Sequence, residues 1–142
     1  MKKKYFFVIS FLVLAIFLVG CSGATTPVLD VDQEEEIKDI IANYWSALSD
    51  RQYSLAKSYC IPYGNAYYAV EEYQNNFDYS YATLNWNVYI NWVAVTGNNA
   101  IANVDLTLNV TVCFEDICSD ENETLNNYSM YLIKSNEAWK LI

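Results

Sequence analysis

The strongest constraint on the fold is a strict two-residue alternation between positions 102 and 112. Ala102, Val104, Leu106, Leu108, Val110 and Val112 fall on one face; Asn103, Asp105, Thr107, Asn109 and Thr111 fall on the other. Successive side chains of a strand point to opposite sides of its sheet, so this pattern predicts a strand with one buried and one wet face, the habit of antiparallel sheets. The preceding run has the same period. Trp86, Val88, Ile90, Trp92 and Ala94 alternate with Asn85, Asn87, Tyr89 and Asn91, and Thr96-Gly97-Asn98-Asn99 supplies a turn. A third strand is expected over about Thr124 to Lys134. After Ser135-Asn136-Glu137, a last one runs from Ala138 to Ile142.

Before position 82 the period is helical. Ile37, Ile40, Ile41, Tyr44, Trp45 and Leu48 recur at three- and four-residue steps, and Asp32 with Glu35 reads as a capping box opening that helix. A short second helix should carry Tyr53, Leu55, Ala56, Tyr59 and Cys60, with Pro62 and Gly64 closing it. A third should run from Ala66 to Asn76. Helices followed by a strand meander define an α+β fold for residues 32–142.

The chain opens with Lys2-Lys3-Lys4 and an apolar run from Tyr5 to Val19, the layout of a secretory leader. The run ends in Leu18-Val19-Gly20-Cys21, which resembles the lipobox of bacterial lipoproteins. The resemblance implies a signal peptide over residues 1–20, a diacylglycerol on the Cys21 thiol, and a tether over residues 21–31. An uncleaved anchor is the alternative, and either one places the remaining chain outside the cytoplasm, held at a membrane. Beyond the leader only Lys38, Arg51, Lys57, Lys134 and Lys140 are basic, whereas all 17 acidic residues remain. Such a domain repels nucleic acid and anionic head groups.

Ile37 to Leu48, followed by Tyr53-Ser54-Leu55-Ala56, resembles the opening helices of the nuclear transport factor 2-like (cystatin-like) superfamily. Tyr131 to Ile142, with a polar turn before Trp139-Lys140-Leu141, is similar to its closing hairpin. The resemblance implies a curved antiparallel sheet wrapped around helices, often with a pocket between them. Enzymes of the superfamily place an Asp, His or Tyr in that pocket.

This chain has no histidine, which removes the commonest base near neutral pH and the commonest metal ligand. Glu71, Glu72 and Asp78 are the remaining candidate acids, and solvated helix charge or a turn role accounts for them. No catalytic residue, metal or cofactor is therefore assigned. Cys113 and Cys118 bracket a loop of hairpin length, and outside the cytoplasm they are expected to form a disulfide, with Cys60 left as a small buried hydrophobe. The chain holds 13 Tyr, 4 Trp and 6 Phe, enough to line a pocket or simply to fill a core. Tyr59, Tyr67, Tyr73 and Trp86 are the candidate ligand contacts. Asn109, Asn122 and Asn127 each open an N-glycosylation sequon, used only in a host that has the machinery.

The function expected is non-enzymatic: an envelope lipoprotein binding a small ligand or a protein partner. The alternatives are an interaction module with a filled core, and a pocket enzyme using Tyr or Glu. The polar strand face at Asn103, Asp105, Thr107 and Asn109 predicts a monomer or a weak dimer.

Overall fold

The computed structural model describes residues 31–77, 82–115 and 117–142. The leader, Cys21, most of the tether, Asp78, Tyr79, Tyr81 and Asp116 lie outside the described residues. Among the described residues three helices, α1 (Val31–Ser49), α2 (Tyr53–Ser58) and α3 (Asn65–Phe77), precede four strands. These are β1 (Ala82–Thr96), β2 (Asn99–Phe114), β3 (Ile117–Ser135) and β4 (Ala138–Leu141), antiparallel neighbours in the order β1-β2-β3-β4. The fold is the expected α+β arrangement of helices on an antiparallel sheet.

The α1 stripe is buried as its period requires: Ile37, Ile41, Tyr44, Trp45 and Leu48 enter the core, with Ala47 beside them. Helix α1 starts at Val31, so Asp32 lies inside the first turn, where its charge meets the positive end of the helix dipole. The helix stops in a left-handed residue, Arg51 (φ 58°). Gln52 N–H bonds Ala47 O at 2.8 Å and Arg51 N–H bonds Leu48 O at 3.1 Å, which satisfies two otherwise orphaned carbonyls.

Helix α2 is shorter than its apolar residues suggest. Tyr59 and Cys60 leave it and run beside the last strand, Cys60 bridging Leu141 in parallel, Leu141 N–H bonding Tyr59 O at 2.9 Å and Ile61 N–H bonding Leu141 O at 2.7 Å. Leu55, on the outer side of α2, is 42% exposed.

Two β-bulges shape the sheet. In β1 the register moves between Ile90 and Trp92, so that Trp92 pairs Asn103 and Val93 pairs Ala102. An extra residue reverses the faces of everything beyond it. Val93 is therefore 7% exposed and Trp92 50%, opposite to the alternation expected of Trp92 and Ala94. The side chains of Asn91 and Asn103 bond at 2.9 Å across the irregularity.

In β3 the register moves between the partners of Val104 and Leu106, which are Tyr128 and Leu125. Asn127 takes φ 57° there, and its N–H donates to the Asp105 carboxylate at 2.7 Å. The outer face of the sheet is polar through Asp105, Thr107 and Asn109, but past the first bulge it exposes Trp92, Ile101 and Tyr131. Of the polar face read from the sequence, Asn103 is corrected: it is 8% exposed, because it lies opposite the β1 bulge with its amide oxygen taken by Asn91.

The hairpin turns follow backbone chemistry. Gly97 (φ 60°) opens the β1–β2 turn, and Asn136 and Glu137, at φ 51° and 67°, form the β3–β4 turn. At the β2–β3 tip Cys113 faces Cys118 with Cα atoms 4.1 Å apart, and the two are joined as the expected disulfide.

Candidate functional site

A cleft of about 350 Å³ joins helices to sheet. Tyr44 and Trp45 of α1 form its floor. Asn65, Ala66 and Ala69 at the start of α3 form one wall, and Tyr128, Ser129, Met130 and Tyr131 of β3 form the other, with Leu141 and Ile142 at its end. Adjacent helix positions point about 100° apart, so Tyr44 and Trp45 both reach this space only because the helix is packed against two surfaces at once. The indole N–H of Trp45 donates to Met130 Sδ at 3.4 Å, and the Tyr44 and Trp45 rings meet edge-to-face at 5.2 Å.

Burial pushes the Tyr44 phenol well above its ordinary pKa. It therefore stays protonated and offers a hydrogen bond rather than a base. Four consecutive residues of β3 line the cleft although their side chains alternate between faces. The cleft thus lies along the edge of that strand, where β4 ends.

The structure brings two of the sequence-predicted contacts together and leaves two apart. Trp86 Nε1–H donates to the Tyr73 hydroxyl at 3.0 Å, and Trp86 packs on Trp45 at 4.6 Å between centroids. These rings fill the space between α3 and β1 and back the floor of the cleft instead of lining it. Tyr67 stacks on Tyr63 and Tyr68 under the Lys57 ammonium, 4.9 Å from its centroid, and Tyr59 packs against the core near β4.

None of the four lines the cleft. Its own aromatics, Tyr44, Trp45, Tyr128 and Tyr131, read from the sequence only as core or strand positions.

A second hollow of about 360 Å³ lies beside Arg51, Gln52, Tyr53, Ser54, Leu55, Lys57 and Gln74. Both cations there are engaged. Arg51 donates to Ala82 O, and Lys57 pairs with Glu71 at 3.0 Å. That pairing also occupies one of the candidate acids, and Glu72 is exposed. Among the described residues no group of three or more His, Cys, Asp or Glu could hold a metal ion, and no helix is long and apolar enough to cross a membrane.

No family model matches the sequence, and no curated protein matches it. Solved structures do resemble the fold. A nuclear transport factor 2-like superfamily protein of Salmonella enterica is 18% identical with a TM-score of 0.56, covering 76% of this chain and 84% of that one. A protein with a cystatin-like fold from Novosphingobium aromaticivorans is 11% identical with a TM-score of 0.54, covering 84% and 88%. A third, from Streptomyces avermitilis and provisionally named a dehydratase, is 12% identical with a TM-score of 0.55, covering 78% and 92%. At these identities the likeness is one of architecture: the chain has the nuclear transport factor 2-like, cystatin-like fold.

Proposed function

We propose that the protein is a non-enzymatic binding protein of the cell envelope, held to its membrane by a lipid on Cys21. Its ligand enters the cleft between α1 and the β3 edge. The observation that carries the binding reading is the cleft itself. It has about 350 Å³ of space, two aromatic residues from a helix, two from a strand, and Asn65 and Ser129 as polar groups. A few placed polar groups within an apolar wall suit a ligand with a flat apolar face and a polar rim. The eleven lining residues include no carboxylate, lysine or arginine side chain, and the chain has no imidazole, which supports recognition over acid–base chemistry.

The anchor rests on the leader and the Leu18-Val19-Gly20-Cys21 tetrad. A diacylated thioether supplies the two chains that stable attachment needs. The domain acts as a monomer or a weak dimer. One observation favours the filled-core alternative: Tyr73 and Trp86 close on each other where the expected ligand contacts converge. On that alternative the protein would bind partners only on its surface.

A thermal-shift screen of the full-length chain in a nonionic detergent separates the two. Aromatic glycosides and indole derivatives should stabilise the wild type and not Ala69→Trp, which fills the cleft mouth from an exposed position. Stabilisation that survives the substitution, or none at all, removes the cleft as the site. Mass spectrometry of membrane-extracted protein should find Cys21 as the N-terminal residue, bearing a diacylglyceryl mass.

A further inference from the structure

We infer that the occupant of the cleft is an extended, basic peptide segment that adds as a strand to the free edge of β3. The inference rests on the binding reading above and names its partner class. β3 is paired with β2 along nearly its whole length, but β4 covers only Leu132 to Ser135. Tyr131 O accepts from Ile142 N–H at 3.1 Å, the last bond on that side. Ser129, one strand period further, presents its backbone polar groups in the same direction, and among the described residues no strand is paired there.

A sheet edge left open beside an aromatic cleft is the geometry of strand addition. Backbone bonds supply affinity, and the cleft takes an alternate side chain. Approach along the edge also explains why Tyr128 and Tyr131, on opposite faces, both line the cleft.

Charge selects the occupant. From Ile117 to Ile133 the strand carries Asp120, Glu121 and Glu123 and no lysine or arginine. A second copy pairing edge to edge would set acid against acid, which disfavours it. Glu121 and Glu123, opposite Val110 and Leu108, share one face and meet a peptide with alternating lysines favourably, whereas Asp120 on the other face accepts from Thr111 Oγ1 at 2.6 Å.

The test uses the full-length chain in nonionic detergent micelles and the peptide Lys-Leu-Lys-Tyr-Lys-Leu-Lys, capped at both ends. Hydrogen exchange read by mass spectrometry should slow in residues 119–131 on adding the peptide. An alternately N-methylated peptide, or one with glutamates for its lysines, should give no slowing. The triple variant Asp120→Lys, Glu121→Lys, Glu123→Lys should weaken binding by on the order of tenfold. Ala69→Trp should weaken it while leaving the edge charge untouched.

Equal protection by the N-methylated or acidic peptide, or protection confined to other strands, overturns the inference. A thermal shift by aromatic fragments is measured in the same samples. If the fragments stabilise and the peptide does not protect, strand addition fails and the cleft reading stands. If neither acts, both fail.

Discussion

The backbone N–H of Asn127 donates to the Asp105 carboxylate at 2.7 Å across the β2–β3 ladder, with Asn127 held at φ 57°. The only acid of the cleanest strand thus pins the bulge that turns Met130 and Leu132 into the core and brings Tyr128 to the cleft. Removing the carboxylate with Asp105→Ala should cost about 1 kcal/mol in urea unfolding. Asn127→Val, which forces a β-branched residue into the left-handed region, should cost about 2 kcal/mol, whereas Asn127→Gly should be nearly neutral. Equal losses for Val and Gly would mean that the conformation at 127 is not the one described.

The β1 bulge makes an inverted pair of expectations. Strict alternation would bury Trp92 and expose Val93; the observed register does the reverse. Trp92→Ser should cost no more than about 1 kcal/mol, the loss of a half-exposed strand aromatic. Val93→Ala should lose about 2 kcal/mol through the cavity it opens. Denaturant midpoints of the two variants decide between the registers.

The β3–β4 turn holds Glu137 at φ 67°, a conformation that favours glycine. Glu137→Gly should raise stability by about 1 kcal/mol, measured by thermal or urea unfolding. A loss of that size would show that the turn is built differently.

Burial pushes the Cys60 thiol up to about 11 from its ordinary 9.0, and burial raises Tyr44 and Tyr73 as well. Each group binds its proton more tightly in the folded state. Their contribution is complete below the unfolded values and is lost as pH rises through the folded ones. Stability should therefore be level through neutral pH and fall above about pH 9, with a shallower decline between 9 and 11 in Cys60→Val. A stability that rises over that window would contradict the burial of these groups.

The helical stripe from Ile37 to Leu48 and the alternation of β2 were legible because each burial pattern follows a single period, 3.6 or 2. The bulge at Asn91 was not, since Trp92, Val93, Ala94 and Val95 are all apolar and no polar residue marks the slip. The departure of Cys60 from α2 was hidden for a related reason. Its partner, Leu141, is far away in sequence, and helix and strand both bury such a residue. The cleft was missed because Tyr128 and Tyr131 belong to opposite faces of one strand. Only the end of β4 at Leu141 exposes the edge that unites them. Of the tyrosines around α2 and α3, Tyr63, Tyr67 and Tyr68 pack against one another and Tyr73 packs against Tyr53.

The claim on which the functional account turns is that ligand enters beside Trp45. Labelling the full-length chain with 5-fluorotryptophan gives separate fluorine resonances for Trp45, Trp86, Trp92 and Trp139, assigned by single Trp→Phe substitutions. On titration with indole glycosides or the lysine-rich peptide, the Trp45 resonance should move furthest, the backing Trp86 should move less, and the exposed Trp92 should stay in place. Movement of Trp92 with Trp45 unchanged would put binding on the outer sheet face and contradict the account.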